Sequence, residues 1–152
     1  VVIVSIDVSH GCGHFPGGSF ARWRRAVAKA AGIPLPLMDG YGAEPAALAR
    51  GLAVDSEPWD VRRWVEEVIA CLPIPWSTFA HDPIVPLLNT PDDDGGIAAV
   101  ACGSLADRLE QLLALLTDGP GDDVDRLRAR TRTFIDGLRR AAVAGEDVTL
   151  SG

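Results

Sequence analysis

The chain has 152 residues, 47% of them apolar, and a formal net charge of -7. That length suits one globular domain over residues 1–152 with a core that needs no staples, and the apolar share excludes a disordered chain. The balance of 14 basic against 21 acidic residues argues against nucleic acid or an anionic membrane as partner, because both carry the same sign of charge.

Residues 1–8, VVIVSIDV, are mostly β-branched and predict a strand. The run is too short for a membrane span and has no basic leader, so it does not read as a signal peptide. Residues 9–19 hold four glycines and a proline and read as a loop. A helix follows over residues 20–31, with Ser19 as N-cap, Gly32 as stop and Pro34 just beyond. Phe20, Trp23, Val27 and Ala30 mark its core face; Arg22, Arg25 and Lys29, with Arg24 nearby, mark a basic one. Such a row usually is the solvated side of an amphipathic helix, although it could dock an anion or an acidic partner.

Residues 33–44 read as irregular, and a short helix is expected over 45–52. A clearer helix runs to residue 72, with Val61, Trp64, Val65, Val68 and Leu72 as its stripe, and Pro73 ends it. Residues 73–91 carry five prolines beside Trp76 and Phe79. They read as a core-packing connection with one helical turn, followed by an acidic turn at residues 92–96. Leu105, Leu109, Leu112 and Leu116 then define a helix capped at Ser104 or extended backward through Gly103. Val124, Leu127, Thr131, Phe134, Leu138 and Ala141 define another, capped by Asp122 or Asp123 and stopped by Gly145. The short connection predicts an antiparallel helix pair, and residues 148–150 a strand against the first one. The expected fold is mainly α, a helical single domain with a short N-terminal β-strand; a small α+β arrangement is the alternative.

The most reactive stretch is His10-Gly-Cys12-Gly-His14. If its backbone were extended, alternate side chains would share a face, and two imidazoles and a thiol would suit zinc or another borderline divalent metal. His81, Cys71 or a carboxylate could complete such a site. The competing reading is a glycine loop in which the histidines and cysteine are incidental, because glycine frees the backbone from alternation. The same segment, lying between a strand and a helix, resembles a phosphate loop, but Ser19 stands where that motif requires lysine. What survives is an anion site at the helix start using Ser19 and Arg22. Gly13-His-Phe-Pro-Gly17 is similar to a short motif of hot-dog-fold hydroxyacyl thioester dehydratases, but the following helix lacks their acidic partner, so the match carries no assignment. Asp92, Asp94 and Gly95 fit part of a calcium loop, but its twelfth position is Ala101 where a bidentate glutamate is required. No Ser-His-Asp set, paired-carboxylate signature or dinucleotide fingerprint is legible in the chain order. The three cysteines, Cys12, Cys71 and Cys102, match no disulfide framework and suggest reduced thiols in the cytoplasm.

The stretch Pro86-Leu-Leu-Asn-Thr-Pro-Asp-Asp-Asp-Gly-Gly, the helix at residues 105–116, Thr133-Phe-Ile-Asp-Gly-Leu and Phe20-Ala-Arg-Trp-Arg-Arg together resemble a group of small actinobacterial proteins with no assigned activity. The resemblance implies a bacterial, cytosolic, single-domain protein and transfers no catalytic residue. Two functions are therefore expected: a binding or regulatory protein for a protein partner or small ligand, or, as the alternative, a metal-dependent enzyme using His10, Cys12 and His14.

Overall fold

The computed structural model describes residues 5–38, 74–90, 95–119 and 122–152. The chain, read from sequence as one domain, divides into two compact units, one of residues 1–33 with 81–152 and one of residues 34–80. The helices expected over 45–52 and up to residue 72 lie outside the described residues, as do Asp92 to Asp94 of the acidic turn. Elements are numbered below among the described residues only.

The larger unit contains β1 (Ile6–Val8), β2 (Gly13–Phe15), α1 (Ser19–Ala31), α2 (Val85–Leu88), β3 (Gly96–Ile97), α3 (Ala99–Leu112), α4 (Val124–Ala144) and β4 (Val148–Ser151). Its strands form a four-stranded antiparallel sheet in the order β2-β1-β4-β3. The unit is therefore an α+β arrangement. That is close to the α+β alternative: the expected pairing of the C-terminal strand with the first one is present, with Asp7 facing Ser151 and Val8 facing Leu150, and β2 and β3 extend it to a sheet that the mainly α expectation lacked. The smaller unit is described by two 3-10 turns, Leu35–Leu37 and Trp76–Phe79, and a parallel bridge in which Ile74 N donates to Leu37 O at 2.9 Å.

The sheet has one apolar face and one polar face, as strand alternation requires. Ile6, Val8, Phe15, Ile97, Val148 and Leu150 are buried; Asp7, His14, Thr149 and Ser151 are exposed. Aromatic rings tie the buried face to the helices. Phe15 lies 5.3 Å from Trp23 of α1 and 6.3 Å from Phe134 of α4, and Trp23 lies 4.7 Å from Phe134. Trp23 Nε1 donates to Thr131 Oγ1 at 2.9 Å, and that hydroxyl donates to Leu127 O at 2.7 Å. The polar tips of two core residues are thus satisfied without water.

The helix ends follow local chemistry with two exceptions. Gly32 and Gly145 stop α1 and α4 in the left-handed conformation, and Asp123 accepts from Arg126 N at the start of α4. Ser19 is not the cap of α1: left-handed Gly18 occupies that position and Ser19 is the first helical residue. Nor does Ser104 cap α3, which runs back through Gly103 to Ala99. Its first N–H is satisfied from a distance in sequence, by Asp147 Oδ1 at 2.8 Å from Ala99 N. Helices α3 and α4 are antiparallel: Arg128 Nε donates to Leu113 O at one end, and Asp147 reaches Ala99 at the other.

Helix α4 approaches the β1–β2 hairpin more closely than any side chain would permit. A Cβ at Gly137 would stand 2.4 Å from Cys12 Sγ and 2.6 Å from Cys12 N. Because the obstacle includes backbone, rotating a side chain cannot relieve it. Gly137→Ala should lower stability by about 1–3 kcal/mol through overpacking. Gly103 of α3 has open space around its would-be Cβ, so Gly103→Ala should raise stability by about 0.5–1 kcal/mol. Urea midpoints of the two variants against the parent chain decide both signs.

Candidate functional site

The hairpin that carries His10, Cys12 and His14 turns at His10 and Gly11. Their φ angles are 60° and 73°, and Cys12 N donates to Ser9 O at 3.1 Å, a pairing that defines the I′ turn suited to a two-residue hairpin. A histidine with positive φ is uncommon. Here the turn is clamped from outside by Arg140 Nε, which donates to His10 O at 2.9 Å.

The structure does not bring the three expected ligands together. Cys12 points inward and is fully buried against Gly137. His14 points outward on β2, where its Nδ1 lies 2.6 Å from Asp7 Oδ1 across the strand pair. His10 sits in the turn itself, beside Ser9 and Glu146. Alternation fails between Cys12 and His14 because Gly13 adopts φ 148°, open to glycine but rarely to other residues. Among the described residues no group of three or more His, Cys, Asp and Glu side chains is placed to hold a metal ion.

A different triplet forms at the turn. Ser9 O is used by the turn, so Ser9 Oγ takes over its place in the ladder and accepts from Thr149 N at 2.9 Å. The same Oγ lies 2.8 Å from His10 Nδ1, and His10 Nε2 lies 3.4 Å from Glu146 Oε1. A carboxylate only accepts, so in neutral His10 the proton resides on Nε2. Nδ1 is then an acceptor, and the Ser9 hydroxyl donates to it. This set was missed in the sequence because Glu146 is distant in the chain and reaches His10 only through the path of α4.

The second sequence candidate, Ser19 with Arg22, is also separated. Ser19 is buried and its Oγ has no hydrogen-bond partner among the described residues. Arg22 instead lines a recess of about 210 Å³ between α1 and residues 117–119 and 122, together with Arg25, Lys29, Asp118, Asp122 and Leu127. Arg22 Nε is 3.3 Å from Asp122 Oδ2, whose side chain is only 8% exposed. Asp118 Oδ1 accepts from Val124 N at 2.6 Å. Both carboxylates are thus engaged. Arg25 and Lys29 are exposed and make no ion pair among the described residues. Arg24, grouped with this row in the sequence, turns away: it is buried, donates to Thr90 O at 2.7 Å and lies over the Phe20 ring.

No family model, no curated protein and no solved structure matches this chain. Among the described residues no helix is long and apolar enough to cross a membrane.

Two predictions separate structural from functional roles here. An orphaned buried hydroxyl costs stability, so Ser19→Ala should leave the urea midpoint unchanged or raise it; a clear loss would show that Ser19 has an unseen partner. Burial, reinforced by Cys102 and opposed by Arg140, pushes the Cys12 thiol up to about 12 from an ordinary 9.0. Between those values the native state keeps a proton that the unfolded chain has lost. Stability from this group is therefore present below pH 9.0 and lost as pH rises toward about 12. Urea titrations across that range should show a decline that is shallower in Cys12→Ala.

Proposed function

We propose that this protein binds a small anion, a phosphate or a carboxylate, in the recess between α1 and residues 117–119 and 122. The observation that carries the reading is the wall formed by Arg25 and Lys29. In a chain of net charge -7, two cations that make no ion pair among the described residues line a recess whose two carboxylates, Asp122 and Asp118, hold Arg22 and Val124 N. They stand four residues apart on one helix face, close enough to grip one ligand together. Arg22 is held beside them by Asp122, and Ala26 and Leu127 supply an apolar floor. Ligand pockets commonly measure about 300–1,000 Å³, so a recess of about 210 Å³ suits a metabolite-sized anion rather than a large cofactor.

This is the small-ligand form of the binding function expected from the sequence. Nucleic acid does not fit the overall charge, although the recess itself is locally basic. The free thiols of Cys12 and Cys102 support a reducing bacterial cytoplasm as the setting. The alternative, a metal-dependent enzyme at His10, Cys12 and His14, has no comparable geometric support.

Isothermal titration with inorganic phosphate and with citrate tests the proposal. Saturable binding of at least one is expected. A charged hydrogen bond contributes about 1.5–3 kcal/mol, so Arg25→Ala and Lys29→Ala should each weaken binding by about 10- to 100-fold. Arg132→Ala, exposed on α4 and outside the recess, should not change it. No saturable binding of either anion, or binding indifferent to Arg25 and Lys29, overturns the proposal.

A further inference from the structure

We infer that Ser9, His10 and Glu146 form a nucleophile, a general base and a positioning carboxylate that together cleave small activated carboxylic esters. The inference stands apart from the anion recess and does not depend on it.

The neighbours of His10 and Ser9 set the direction of the hydrogens. Glu146 fixes the Nε2–H tautomer of His10, and Thr149 N already donates to Ser9 Oγ. The serine hydroxyl proton is therefore left for His10 Nδ1, at 2.8 Å. A nucleophile hydrogen-bonded to a base, and a base oriented by a carboxylate, is the arrangement that activates a serine. The two imidazole nitrogens exchange their usual duties here: Nδ1 faces the serine and Nε2 the acid, in contrast to the Ser-His-Asp pattern.

Three constraints hold the set in place. The I′ turn fixes Ser9 and His10 relative to each other, despite their being chain neighbours. Arg140 holds the turn carbonyl. Glu146 follows the left-handed stop of α4 at Gly145, with its N–H donating to Ala141 O at 3.0 Å. The charged and titratable groups around His10 are thus Glu146 and Arg140, with Asp7 and His14 on the same outer face of the sheet.

The reaction balances with water as the sole co-reactant. Ser9 Oγ bonds to the ester carbonyl carbon while its proton passes to His10 Nδ1. The carbon–oxygen bond to the leaving group breaks; the leaving oxygen takes the electron pair and then the proton from His10. Water adds to the acyl carbon, gives a proton to His10 Nδ1, and Ser9 Oγ departs and recovers it. Glu146 touches no reacting atom; it positions the imidazole and stabilises its charged form. The set is open to solvent, with the Glu146 side chain 64% exposed and that of His10 20%. Short acyl groups on good leaving groups fit such a site, because the strongest electrostatic help comes from enclosed ones.

The test is p-nitrophenyl acetate with the intact protein, reading p-nitrophenolate release and, by peptide mass spectrometry, the acetylated residue. The expected result is an initial burst near one equivalent with the acetyl group on Ser9. His10→Asn is the informative variant, since asparagine tolerates the positive φ at this turn; it should slow acylation on the order of 100-fold. Glu146→Gln should slow it less, lowering kcat with little change in KM, a split that mere structural support would not produce. His14→Asn should behave as the parent chain. Ser9→Ala should abolish the adduct, and its circular dichroism must match the parent because Thr149 N loses its acceptor. Acetyl groups only on other residues, a burst that survives His10→Asn, or no turnover beyond that of free imidazole overturns the inference.

Discussion

Helix α4 can lie directly on the β1–β2 hairpin only because residue 137 has no side chain, and most of the larger unit is arranged by that contact. With Gly137 against Cys12, the next turn of the helix brings Arg140 onto His10 O. A guanidinium atom of Arg140 would lie 2.7 Å from a Cβ at Gly11, so two glycines, one on each element, permit a single close approach. Beyond the helix stop, the chain delivers Glu146 to His10, Asp147 to the first N–H of α3, and β4 to the open side of β1. A displacement at Gly137 would propagate to each of these, because packed interiors transmit strain rather than absorb it.

The unit divides its polar chemistry between two places. On the outer face of the sheet, alternation exposes Asp7 and His14 while the turn gathers Ser9, His10 and Glu146. On the flank of α1, the basic row faces residues 117–119 and 122, where Asp122 is almost buried and holds Arg22. Burial of Asp122 matters beyond that pair. Partial burial lowers the pKa of Arg130, which lies over the Phe15 ring, and Asp122 opposes that shift. The acidic average of the chain therefore conceals a local cationic surface, and charge counts alone could not place it.

The sequence reading succeeded where structure is local. The apolar stripe of α4, its Asp123 cap and its Gly145 stop depend on residues within one or two turns of one another. The same is true of α1 and of the antiparallel pairing with α3 across a short connection. It fell short where elements are brief or their partners remote. Strand β3 has two residues and β2 has three, enclosed among glycines, so neither gives a usable period. In sequence the start of α3 stays open between Ser104 and an extension back through Gly103, and the extension is what forms, because the acceptor of its first N–H, Asp147, comes 48 residues later.

The amino-acid order by itself determined helices α1, α3 and α4 and which of their faces are apolar, and it pointed to His10 to His14 as the most reactive stretch, since periodicity and capping act over a few residues. It could not decide what that segment presents. Whether Cys12 points inward, whether His10 meets a carboxylate, and whether Arg25 and Lys29 face a recess depend on α4, β4, residues 117–119 and Asp122 arriving from far along the chain. Those arrivals are governed by packing in three dimensions, in which a missing side chain at Gly137 counts as much as any reactive group.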